Sequence, residues 1–239
     1  MKRGLILTTI VCMFLIASAM ADPYGTVDVK ETGVRLDRTL TVHKKGAAAD
    51  GKTVYVGIYE LDLRSASTGL SYLQGDVDSF CIDIWEWAPD TVYETYEVHP
   101  LDNAPNPYSG GPTMGSTKAG QLAYLLDTHW NNDLDTSVEA AALQAAVWEI
   151  VAEGEDTYNI NVGDFYLTGD QDVRDKANTW LSAIGSSTAS FGNYRALCNP
   201  LSAGAGGYQD YVVRVPLPAN VLLGIVGLTV AGIKLRKYA

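Results

Sequence analysis

An α+β domain is the fold class this sequence predicts, and three observations carry that expectation. Period-2 stretches rich in Val, Ile and Tyr recur over residues 34–99, another lies at 208–215, and three helix-period stretches lie between them. A β-barrel or β-sandwich lobe with an inserted helical lobe, at about residues 113–185, accommodates that order. The length of 239 residues fits one such domain over residues 22–214, flanked by an N-terminal leader and a C-terminal tail.

Residues 1–21 place Lys2 and Arg3 before an apolar run at 4–17 and end in Ala19-Met20-Ala21. This is the pattern of a secretory signal peptide, cut after Ala21 to leave Asp22 as the mature N-terminus. Of the three cysteines, Cys12 goes with the leader, and Cys81 and Cys198 remain in an exported, disulfide-permissive setting.

Strand-like alternation runs over 34–42 and a turn follows at 47–52, with Lys44 and Lys45 on its solvated edge. TVYVGIYELDL (53–63) is rich in β-branched and aromatic residues and predicts a strand. Residues 65–78 read as a polar hairpin connection. Asp76 and Asp78 within it are read as solvated, since calcium requires several oxygen ligands. SFCIDIWEW (79–87) predicts a strand with Phe80, Ile82 and Ile84 on one face and Cys81, Asp83, Trp85 and Trp87 on the other. Asp90 turns the chain into a partner strand at 92–99. Residues 100–115 hold four of the nine prolines and read as an exposed loop, a plain connection or a lid.

The first helix, 116–129, aligns Ala119, Leu122, Ala123 and Leu126 on one face, with His129 as a C-terminal cap or a base. Residues 131–135 resemble an EF-hand opening but lack its Gly and its Glu. The second helix, TSVEAAALQAAVWEIVAE (136–153), starts on a Thr136–Glu139 capping box. Ala140, Ala141, Val147, Trp148 and Val151 form its apolar face, and Glu139, Glu149 and Glu153 lie opposite. Residues 154–168 return to irregular or strand structure. The third helix, 170–185, carries the stripe Val173, Ala177, Trp180, Leu181 and Ile184, with Asp170 and Asp172 at its positive end. Residues 186–207 read as a Ser/Gly/Ala-rich loop before the last strand.

Gln144 sits in the middle of the apolar face of the second helix. A buried primary amide brings two donors and an acceptor that must be satisfied. Two readings stand side by side: a core amide bonded to neighbouring backbone, or an acyl group whose nitrogen has been displaced by a thiolate to leave an internal thioester. Cys81 is the sulfur the second reading requires.

FCI (80–82) and LQAAVW (143–148), separated by 63 residues from Cys to Gln, resemble the paired signatures of bacterial Cys–Gln thioester domains. AGQLAYLLDTHW (119–130) is similar to that family's intervening helix and GYQDYVV (207–213) to its closing strand. The resemblance implies a Cys81–Gln144 cross-link shielded by Trp148, Phe80 and Trp85, which acylates an amine-bearing protein or matrix polymer in an adhesin-like role. It implies no catalytic turnover, no cofactor and no metal. Cysteine counting offers the competing pairing, a Cys81–Cys198 disulfide in a non-catalytic envelope or extracellular-matrix protein.

The tail reads Val215-Pro216-Leu217-Pro218-Ala219, then an apolar stretch to residue 233, then Lys234, Arg236 and Lys237. It resembles the PEP-CTERM class of sorting signals in its VPLPA form. That resemblance implies a short transmembrane segment at 219–233, processing by an exosortase-type protease, and display on the surface or in the matrix of a Gram-negative bacterium. The basic end fits a cytoplasmic stop.

Setting aside the five basic residues of leader and tail leaves twelve against 28 acidic ones. Nucleic acid is excluded as a partner by that balance, which also favours cationic amines. No serine-elbow, zincin, CxxC or phosphate-loop motif is present. A Cys–His hydrolase is left with only Cys81 and His99 or His129 to draw on.

Overall fold

The computed structural model describes residues 23–89, 91–105, 113–130, 134–153, 158–201 and 207–215. Among these residues, seven strands and three α-helices make up an α+β fold. The strands are β1 (Gly25–Lys44), β2 (Thr53–Arg64), β3 (Gly75–Cys81), β4 (Glu94–Pro100), β5 (Phe165–Gly169), β6 (Tyr194–Cys198) and β7 (Tyr211–Arg214). The helices are α1 (Gly115–His129), α2 (Ser137–Ala152) and α3 (Gln171–Ile184).

The antiparallel order β2-β3-β7-β6-β4-β1 returns on itself because β1 also pairs with β2, so six strands nearly close a ring. Closure of this kind removes exposed sheet edges. The long β1 makes it work: Gly25–Val29 pairs with β4, Leu40–Lys44 pairs with β5, and the other edge pairs with β2 between Asp28 and Thr41. Register shifts between Glu31 and Gly33 and between Arg35 and Arg38 bend β1 between its two partners. Of the two forms expected, the barrel-like one is observed.

Several expected boundaries move. The strand at 79–87 stops at Cys81, and Ile82, Asp83 and Ile84 are all buried, because the chain leaves the sheet and turns inward there. The expected hairpin connection at 65–78 gives its last residues to β3, where Asp78 pairs with Arg35. The loop at 186–207 contains β6, whose short buried run YRALC was hidden among small residues. The insertion is not purely helical, since β5 within it joins β1.

α2 is the centre of the helical layer. Thr136 caps it through both arms of the capping box with Glu139. Every residue from Ala140 to Ile150 is buried, including Glu149, so of the expected polar face only Glu139 and Glu153 at the two ends keep partial exposure. Five alanines in that span let β1, β2, α1 and α3 all approach the helix closely. α3 keeps its stripe as expected, all five residues being buried, and Asp170 caps it by accepting from the N–H groups of Asp172 and Val173.

The leader with Ala19 and Ala21, the loop segment 131–133, and the tail from Pro216 on lie outside the described residues. Among the described residues no helix is long and apolar enough to cross a membrane.

Candidate functional site

Cys81 is the last residue of β3. It faces Tyr211 of β7, while the ladder between β3 and β2 has already ended at Ser79. The Cys81 N–H and C=O therefore need partners from outside the sheet, since a buried peptide group left unpaired is costly. Gln144 supplies both. Its Oε1 accepts from the Cys81 N–H at 2.8 Å, and its Nε2 donates to the Cys81 carbonyl at 2.8 Å. The side-chain amide thus takes the place of a missing strand, and both residues are wholly inaccessible to solvent. The two sequence-predicted partners, 63 positions apart, are brought together.

The sulfur is held in a tight turn. Its S–H donates to the Asp83 carbonyl at 2.6 Å, and the Asp83 N–H donates back to sulfur at 3.3 Å. Burial, then the nearby charges of Asp83 and Asp210, push the Cys81 pKa well up, while the Trp148 indole works in the opposite direction. At rest the site holds a thiol, not a thiolate. Trp148 is 2% exposed and covers the pair from one turn beyond Gln144. Phe80, expected as a shield, packs edge-on against Trp130 at 4.9 Å, and strand alternation turns it to the face opposite Cys81. Trp85 is half-buried, and its backbone N–H donates to Asp83 Oδ1 at 2.6 Å.

Sequence reasoning missed a group of buried carboxyls beside the sulfur: Asp83, Glu86 and Asp210. Burial raises all three pKa values; the Asp210 charge adds to the effect on Asp83, and the Glu86 charge to that on Asp210. Glu86 is lifted to about 7. An acid held at about 7, as Glu86 is, can carry and exchange a proton near neutral pH. Their signal was present in the sequence, as three acidic residues inside the largely apolar or aromatic runs CIDIWEW and YQDYVV. Gly207 makes room for them, because a Cβ there would lie 2.1 Å from Glu86 Oε1 and 2.4 Å from the Leu201 carbonyl.

Cys198 is free, as is Cys81. β7 stands between their strands, so the two backbones are two strand spacings apart, about 9–10 Å. A disulfide needs Cα atoms within about 7 Å. The expected alternative, a Cys81–Cys198 bond, is therefore not formed. Cys198 instead hydrogen-bonds Asp210, whose Oδ1 also accepts from the Asn199 N–H at 2.7 Å. The histidines are engaged elsewhere: His99 bonds Glu97 at 3.0 Å, and His129 stacks on Trp180 at 4.1 Å. Among the described residues no cluster of side chains is suited to hold a metal ion.

Comparison with protein-family models, with curated proteins and with solved structures finds no match to this chain.

Proposed function

We propose that this chain is an exported surface protein whose Cys81 and Gln144 form an internal thioester that acylates amine-bearing partners. One observation carries the reading: the Gln144 carboxamide is docked by two hydrogen bonds on the backbone of the very cysteine whose thiol would attack it. In that step the sulfur bonds to Gln144 Cδ, the Cδ–Nε2 bond breaks, and the thiol proton leaves with the nitrogen as ammonia. Negative charge develops on Oε1, where the Cys81 N–H already donates. Asp83, Glu86 and Asp210 are the groups at hand to take the thiol proton and return it to the departing nitrogen. Trp148 and the surrounding aliphatic residues keep water from the product. An incoming amine then displaces the sulfur once, so the protein is consumed and does not turn over.

The leader and the VPLPA tail support export and processing by an exosortase-type protease, with residues 219–233 as a membrane segment until the tail is cut. A second reading, a non-covalent envelope or matrix protein, is favoured by the same two hydrogen bonds, because they leave the amide fully satisfied as an ordinary core group.

Intact-mass measurement separates the two. The thioester reading expects a mass lower than the sequence by one ammonia, and methylamine adds to the protein. An unmodified mass that methylamine does not change overturns it.

A further inference from the structure

Two large aromatics stand out on the surface: Tyr55 is 65% exposed and Trp87 51%, unusual for rings of their size. Both line one cavity of about 460 Å³, within the roughly 300–1,000 Å³ typical of small-ligand sites. Val34 and Val54 give the cavity an aliphatic wall, and Gln209 lines it as well.

Gln209 is the telling member. It is only 6% exposed, and its backbone is pinned on both sides: its N–H donates to the Trp87 carbonyl at 3.0 Å, and its carbonyl accepts from the Tyr96 hydroxyl at 2.9 Å. Its side-chain amide, by contrast, makes no hydrogen bond among the described residues. Nor is the amide one of the sealed-off polar atoms of the core, so it meets open space. A nearly buried donor–acceptor group without a partner is one that a ligand can satisfy. Glu31, the one acid in the lining, already accepts from the Tyr211 hydroxyl at 3.1 Å. The polar demand left in the cavity is therefore uncharged.

We infer that this cavity binds a neutral glycan, with a pyranose ring laid on Trp87 and Tyr55 and its hydroxyls on the Gln209 amide. A pyranose with equatorial hydroxyls, such as β-glucose, carries those hydroxyls around its rim and only C–H groups on its faces. The C–H groups are slightly positive and meet the negative face of an aromatic ring. The rim hydroxyls both donate to and accept from a carboxamide. An alkyl chain would leave the Gln209 amide unpaired. An extended peptide would lay N–H and C=O groups against Val34 and Val54, which offer them no partner. A polyanionic glycan is disfavoured by the twelve basic against 28 acidic residues outside leader and tail. The site goes beyond the thioester reading and stands whether or not the Cys81–Gln144 bond forms.

The test is calorimetric titration of the purified full chain with three probes. They are cellohexaose, the same β-linked hexamer oxidised to its uronic acids, and the neutral apolar peptide acetyl-VPLPA-amide. Cellohexaose is expected to bind, the uronate about tenfold more weakly, and the peptide not at all. Trp87→Ala should weaken cellohexaose about tenfold and Tyr55→Ala about threefold, both being surface changes that leave the core intact. Gln209→Leu should weaken it about fivefold, with the thermal midpoint read alongside to report folding. No binding of cellohexaose by the wild-type chain overturns the inference. So does an affinity unchanged in both Trp87→Ala and Tyr55→Ala, or tighter binding of the peptide than of the sugar. Intact mass of the same samples reads the thioester separately, so either proposal can fail alone.

Discussion

Two thiols, equally buried and two strands apart, meet different fates in this fold. Cys81 and Cys198 are each about 0–1% exposed, and burial raises the pKa of both. Cys81 ends its strand where the ladder with β2 has stopped, and the vacant backbone position is taken by a carboxamide. Cys198 ends its strand beside a carboxyl, Asp210, which accepts its hydrogen bond and offers no group that a sulfur can displace. Burial is therefore common to both cysteines. What distinguishes Cys81 is the chemical nature of the group its strand end recruits.

The largest test of that contrast is to exchange the roles by deletion. Gln144→Ala removes the acyl group and leaves the Cys81 N–H and C=O unpaired in the core. It should abolish ammonia loss and cost about 3–5 kcal/mol in chemical denaturation. Cys81→Ala should also abolish ammonia loss, whereas Cys198→Ala should keep it. A Cys198→Ala chain without ammonia loss would erase the distinction between the two thiols.

Gly207→Ala probes the buried carboxyl cluster through Glu86. Its new Cβ must push into Glu86 and the Leu201 carbonyl, so a loss of about 2–3 kcal/mol is expected in the same assay. An unchanged midpoint would mean that the closing segment yields freely.

Glu149 sharpens the comparison from the far end of α2, as a buried acid with no thiol beside it. Its pKa is raised by burial from 4.5 to about 7, and its Oε1 accepts from the Asn159 N–H at 2.6 Å. The folded state binds this proton more tightly than the unfolded state. The associated stability is thus full below about pH 4.5 and is lost as pH rises through about 7. Glu149→Gln should therefore stabilise the protein by about 1–2 kcal/mol at pH 8 and do little at pH 4. Equal effects at both pH values would show that Glu149 titrates normally.

The smallest effect is expected at the start of α2. Thr136→Ala removes the side-chain acceptor for the Glu139 N–H and should lower stability by about 1 kcal/mol, with ammonia loss intact. Loss of the cross-link in this variant would tie the site to the helix end and not to the Gln144–Cys81 contact.

Local chemistry accounts for what could be read from the sequence. The capping box of Thr136 and the stripe of α3 were legible because each depends on residue type at fixed spacing, whereas the Cys81–Gln144 meeting was expected only from the resemblance of FCI and LQAAVW to the paired motifs of thioester domains. The inward turn after Cys81 was not, since CIDIWEW alternates like a strand and only the end of the β2 ladder tells it to leave the sheet. The burial of Glu149 was hidden for a related reason: a helical wheel assigns it to solvent, but packing against β1, β2, α1 and α3 buries the whole middle of α2. β6 escaped notice because its pairing with β4 and β7 is long-range.

Peptide mapping of the folded protein, digested at acidic pH without reductant, tests the central claim most directly. The account predicts one joined pair of peptides, containing Cys81 and Gln144 and lighter by one ammonia, that methylamine converts into a free Cys81 thiol and an N-methylated Gln144. Separate peptides with an intact Gln144 and a Cys81 thiol that labels freely would contradict it.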